Sequence, residues 1–248
     1  MPTPTAPSHR YPTRQLHYAQ TLGAASDVAT IHHIANAIIH PLTGASMEYR
    51  HLIKSPTHKE TWTQYFANEL GRLSQGVAQH EKGNDSIFFQ SHAQIPIDRH
   101  KDVTYGRIVV DYRPQKTDPN CTCLTVGSNL IDFPSDVSNP TAYLTTAKLV
   151  TNSTISTPGA RYICGDVKNF YLGTPMARYK NMRLPISIIP QEIIDQYKLM
   201  DLVHNGYVYV KIRRGMYRLP QAGILANKLL TARLSPHGYY QCRHISGP

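Results

Sequence analysis

Long apolar runs are missing from this sequence, and no stretch approaches the roughly 18 residues that cross a bilayer, so a membrane partner is not expected. The amino terminus, Met1 to Arg10, has no apolar core of a secretory signal, which makes cytoplasm or nucleus the expected compartment. Cysteine is scarce too. Four cysteines (Cys121, Cys123, Cys164, Cys242) are too few and scattered for a disulfide framework, and Cys121-Thr-Cys123 lacks the second ligand pair of a zinc site. The expectation is reduced thiols. Thirteen histidines form no His-Glu-X-X-His pattern, and neither a glycine-rich phosphate loop nor a Gly-X-Ser-X-Gly elbow occurs. Zinc-hydrolase, dehydrogenase, kinase and serine-hydrolase readings lose their support. No repeat of 20 to 50 residues points to a solenoid or propeller, and without a signal peptide the Asn152-Ser-Thr154 sequon is incidental.

Acidic residues are also few. Sixteen Asp and Glu stand against 26 Lys and Arg in 248 residues, a net charge of +10. The excess is carboxy-terminal: residues 1 to 80 carry six basic residues against four acids, residues 81 to 159 seven against eight, and residues 160 to 248 thirteen against four. There the charge is interleaved with rings, as in Tyr207-Val-Tyr-Val-Lys-Ile-Arg-Arg-Gly-Met-Tyr-Arg218. Lys211, Arg213 and Arg214 in that mixture suit phosphate contact combined with base stacking. A solvated basic face kept for solubility is the competing reading of the same charge.

With 41% apolar residues the chain can bury a substantial core. Residues 1 to about 25, rich in Pro, Thr, Ala and Ser, read as a poorly ordered leader, and Asp27 to Ile39 carries a blurred helical stripe. The clearest helix spans about His58 to Gln75. Thr57 and Glu60 give it a capping-box pattern, Trp62, Tyr65, Phe66, Leu70 and Leu73 recur at helical spacing, and Gly76 is placed to end it. Trp62 is expected in the core. Ser86 to Gln90, Val103 to Tyr112 and Leu124 to Ile131 read as strands, the last two an antiparallel pair. A helix follows Pro140 to about Ser153, burying Leu144, Ala147 and Val150. Arg161 to Asp166 reads as a strand, Asn181 to Leu184 as an extended piece, and Pro190 opens a short helix. Gly206 to Arg213 alternates as a half-buried strand, and Gln221 to Leu234 forms a last helix burying Leu225, Leu229 and Ala232. The fold class is α+β.

Asp166 is the strongest single candidate: a carboxylate at the end of an apolar strand sits where a divalent cation can be held. A turn or cap role is the alternative. The segment Gly165-Asp-Val-Lys-Asn-Phe-Tyr-Leu-Gly-Thr-Pro-Met176 resembles the first catalytic motif of copia-type retrotransposon reverse transcriptases. Three further segments are similar to parts of that family in the same order: Ser55 to Gln75 to the helix that opens the polymerase region, Cys121 to Leu130 to the fingers strand, and Arg213 to Gly223 to the Leu-Tyr-Gly-Leu-Lys-Gln-Ala motif. The resemblance covers roughly residues 45 to 248. It implies a partial polymerase fingers and palm with antiparallel strands packed on helices: a leader over 1 to 44, a fingers-like region over 45 to 159 and an incomplete palm-like region over 160 to 248.

By that resemblance Asp166 and the Val167 carbonyl are magnesium ligands, Tyr171 is the ring beneath the deoxyribose, and Gln221 contacts the incoming nucleotide or the template. Without the family, Tyr171 reads equally as a core aromatic and Gln221 as a helix-start residue. The implied reaction is RNA-directed addition of a deoxynucleoside triphosphate to a primer on an RNA or DNA template, and the implied context is a retroelement polyprotein. Three departures bear on it. Cys121 and Cys123 stand where the family has basic residues that grip the triphosphate, Arg218 stands where a Gly is usual, and the family's second motif, an aromatic-X-Asp-Asp hairpin, is not reached before Pro248. The expectation is a truncated reverse transcriptase region without polymerase activity of its own. The rival expectations are a non-catalytic nucleic-acid-binding module and an inert relic.

Overall fold

The computed structural model describes residues 37–39, 44–78, 80–131 and 143–241, all within the unit His32–Pro248. The leader over 1 to 25 and most of the expected helix from Asp27 lie outside the described residues. Ile38–Ile39, the end of that stretch, forms strand β1, paired antiparallel with β2 (Ser46–Met47). A single helical turn, α1 (Tyr49–Leu52), leads into α2 (Lys59–Leu73). The helix forms where the apolar spacing predicts it, because Trp62, Phe66, Leu70 and Leu73 fall on one buried stripe. Its start differs from the expected capping box. His58 is the residue before the first turn and no side chain caps it; Thr57 shares a hydrogen bond with Ser55 at 3.0 Å instead. At the other end the Ser74 hydroxyl donates to the Leu70 carbonyl at 2.6 Å, and Gly76 takes φ +106°, a turn that a side chain resists.

The strands β3 (Ile87–Gln90), β4 (Thr104–Tyr112), β5 (Asn120–Val126), β6 (Pro175–Pro185) and β7 (Tyr207–Arg214) make one sheet in the order β3-β7-β6-β4-β5. All neighbours are antiparallel except β4 and β6, which run parallel through Thr104↔Met182 and Tyr105↔Arg183. Residues from 45 to 159 and from 160 to 248 thus interleave in a single sheet. Three helices complete the described chain: α3 (Leu144–Ser156), α4 (Gln191–Gln196) and α5 (Ala222–Leu234). The chain has the α+β class that its sequence indicates.

Period-two alternation sends Val208, Val210 and Ile212 of β7, with Met182 and Leu184 of β6 and Ile87 of β3, into a core shared with Trp62, Phe66 and Leu70 of α2. Each such side chain withdrawn from water contributes about 1.5–3 kcal/mol. The opposite face of the same strands carries the rings and charges described below. Among the described residues no helix is long and apolar enough to cross a membrane.

Four sequence expectations fail in whole or in part. Arg161 to Asp166 is not a strand: residues 160–167 are irregular and exposed, with Ile163 at 84%. A strand needs a partner edge, and none of the sheet's neighbours pairs there, so β-propensity alone does not hold it extended. Helix α3 forms but buries nothing, Leu144, Ala147 and Val150 all being exposed, because no element among the described residues covers it. Helix α5 buries Ala222 and Ala226, leaving Leu225 and Leu229 half-buried and Ala232 exposed. The strand expected at Leu124 to Ile131 begins earlier, at Asn120, and yields after Val126 to a turn at Ser128–Leu130.

Candidate nucleic-acid interface

The residues singled out by sequence separate into three places. Asp166 and Val167 lie on the exposed irregular segment, and Asp166 makes no hydrogen bond or ion pair with the described residues. Val167 and Lys168 flank a groove of about 100 Å³ against Leu229 and Arg233 of α5. Among the described residues no group of three His, Cys, Asp or Glu side chains could hold a metal ion. One solvated carboxylate on an unpaired segment does not fit a magnesium site, which needs several oxygen ligands in octahedral geometry, and no step is assigned through one.

Tyr171 and Gln221 lie elsewhere, each with its own partner. Tyr171 packs edge-on to Tyr217, ring centres 6.0 Å apart, and Gln221 is buried at the start of α5 with its amide nitrogen 3.8 Å from Met176 Sδ. Gly215 makes this junction possible: a Cβ there would stand 2.7 Å from the Tyr171 carbonyl oxygen. Arg218, in the same turn, takes φ +69°. That is the left-handed conformation glycine adopts without cost, at the position where the resembled motif carries Gly.

The third place gathers the charge. Lys211 and Arg213 project from β7 on the face opposite the core, while Arg214 alternates to the other side and is half-buried beside Pro175. Register sets Lys211 beside Phe88 of β3 and Asn181 of β6, and Tyr209 beside Gln90 and Arg183. Cations lie over rings across this face. The Arg213 guanidinium is 5.4 Å from the Phe88 ring centre, Lys211 Nζ 4.7 Å from that of Tyr179, and the Arg183 guanidinium 4.7 Å from that of Tyr207. Arg99 lies 4.5 Å over the same Tyr179 ring and donates to the Tyr179 carbonyl. Each contact is favourable through the ring quadrupole, by about 0.5–1 kcal/mol where exposed.

Sequence reasoning found Lys211 and Arg213 but missed Phe88, Arg99, Tyr179 and Arg183. The available signal was the alternation in Tyr179-Lys-Asn-Met-Arg183, which repeats the pattern of β7. Arg99 had none, because it arrives from a strap, Ser91 to Asp102, made of two 3-10 turns. Beside the strap a cleft of about 500 Å³ is lined by Asp98, Lys101, Asp102, Leu130, Ile131, Arg178 and Lys180.

The buried charge lies apart from this face. Glu69 of α2 accepts from Arg72 Nη2 at 2.6 Å and from the Leu124 backbone N–H at 3.2 Å. Burial raises its carboxyl above the ordinary range, and Arg72 opposes that shift. Arg72 also donates to Asn169 Oδ1 at 3.0 Å, tying the turn after Asp166 to α2. Burial pushes the Cys123 thiol up to about 12 and raises Cys121 as well. Both are neutral thiols near pH 7, so neither strand position supplies the charge that a triphosphate requires.

No family model, curated protein or solved structure matches the chain.

Proposed function

We propose that this chain is a nucleic-acid-binding polypeptide built on the fingers and part of the palm of a copia-type reverse transcriptase, and that it holds a nucleic-acid strand on the outer face of its sheet. The single observation that carries the reading is the set of Arg213, Lys211 and Arg183 laid over Phe88, Tyr179 and Tyr207 on that one face. A phosphate draws such a cation away and neutralises it, and the ring left behind accepts the face of a base. The descent is supported by the four ordered motifs and by the left-handed backbone of Arg218. Nucleotidyl transfer by this chain alone is not part of the proposal, because no group of three His, Cys, Asp or Glu side chains among the described residues could hold the metal ions it requires.

The test is the salt dependence of binding to a fluorescent oligothymidylate. The expected plot of log affinity against log salt is linear and steep, and Arg213→Ala together with Lys211→Ala lowers the slope by about 0.7 for each phosphate that is no longer neutralised. A flat plot, or an unchanged slope in the double variant, would overturn the proposal.

A further inference from the structure

The strap Ser91 to Asp102 does more than supply Arg99: it lies on part of the face proposed to bind nucleic acid, and its grip there is made largely of histidines. The His92 ring stacks on His204, from the loop before β7, with centres 4.2 Å apart and planes 8° from parallel. It lies 4.4 Å from His100 of the same strap and meets Tyr209 of β7 edge-on at 4.8 Å. His100 Nε2 donates to the Ile95 carbonyl at 2.9 Å, so the cluster also fixes the strap's internal turn. The neighbouring groups that lower the His92 pKa are His204 and His100; Asp98, Arg99, Lys101 and Asp102 lie on the same strap.

The contact is poised. Gln90, the residue before the strap, donates to Asn181 at 2.9 Å, yet Gln90 Oε1, Asn181 Nδ2 and Arg99 Nε are buried with no partner among the described residues. Lifting the strap gives all three to water, which offsets part of what closure gains.

We infer that the stack of His92 on His204 and His100 is a proton-operated latch, which holds the strap closed over Tyr209 and Tyr179 when the His92 imidazole is neutral and releases it, widening the nucleic-acid face, when that imidazole is protonated. Stacked neutral rings attract, whereas an imidazolium at His92 is partly desolvated and stands about 4 Å from two further imidazoles. The direction follows from linkage. Desolvation, then the neighbouring His204 and His100 charges, lower the His92 pKa in the closed form, so the open form binds more protons. Closure is therefore complete above the ordinary histidine value of about 6.5 and weakens as pH falls below it. The latch's role in binding rests on the proposed function; its opening does not.

Amide exchange of the whole chain, read by mass spectrometry at about pH 7.5 and about pH 5.5 and corrected for intrinsic chemistry, tests the latch without nucleic acid. The strap's protection is expected to fall by up to about tenfold per pH unit below about 6.5 in the wild type, while α2 stays protected. His92→Phe keeps a ring but no proton, and its strap is expected to stay protected at both pH values. Strap protection that is flat with pH in the wild type, or lost equally in His92→Phe, would overturn the inference. If His92→Phe loses the protection of α2 and so fails to fold, His204→Gln on the exposed loop replaces it, with the same two outcomes. Oligothymidylate affinity measured alongside should gain up to about tenfold more on acidification in the wild type than in the variant. Absence of any oligonucleotide binding defeats the proposed function and leaves the exchange result to decide the latch.

Discussion

Two stretches of this chain carry similar apolar side chains and meet opposite fates. In α2, Trp62, Phe66, Leu70 and Leu73 fall within a core closed by β6 and β7; in α3, Leu144, Leu149 and Ile155 stand 71%, 65% and 80% exposed. Both segments are helical, so local propensity does not separate them. The difference is the neighbour. Helix α2 lies against a five-stranded sheet whose inner face is mainly apolar, while α3 leads into the irregular segment 160–167, and no described element buries it. A hydrophobic residue contributes stability only where another element removes it from water.

The largest expected effect breaks the core side of this comparison. Phe66→Ala should lower unfolding free energy by about 3–5 kcal/mol, as measured by urea denaturation, through reduced burial and the cavity left behind. Leu149→Ala in α3 should stay within about 0.5 kcal/mol of wild type, and equal losses in the two helices would contradict the contrast. The two acids sharpen it next. Glu69→Gln should cost about 3 kcal/mol, because it removes the charge that pairs the partly buried Arg72, whereas Asp166→Asn, on the exposed segment, should leave the urea midpoint nearly unchanged. Smallest is the turn before α5. Arg218→Gly should raise stability by about 1 kcal/mol, because glycine takes φ +69° without strain; a loss there would mean that the Arg218 side chain contributes more than its backbone costs.

Most elements were legible because their signals are local. The stripe of α2, the alternation of β7, the paired strands β4 and β5 and the Pro190 start of α4 each follow from spacing within a few residues. What was not legible depends on partners distant in the chain. Tyr162 and Ile163 look like a buried strand until the sheet order shows that nothing pairs with them. Leu144 and Val150 look like a core face, yet among the described residues nothing buries them. In the candidate site Lys211 and Arg213 could be read from the basic, ring-rich run on β7. Their partners Phe88 and Tyr179 come from β3 and β6, and only strand order brings them alongside. The histidine cluster joins a strap to a loop more than a hundred residues later, a juxtaposition that no local pattern encodes. Arg218 is the converse case: the motif predicts a position that wants glycine, and the backbone there is left-handed although the residue is not glycine.

The cation-bearing ring face of β3, β7 and β6 is proposed to bind nucleic acid. The most direct measurement is the affinity of the whole chain for an oligothymidylate across a salt series, compared with the Lys211→Ala, Arg213→Ala double variant. The expected result is steep weakening with salt in the wild type and a shallower line in the variant. Binding that is absent, insensitive to salt, or equally steep in both proteins would contradict it.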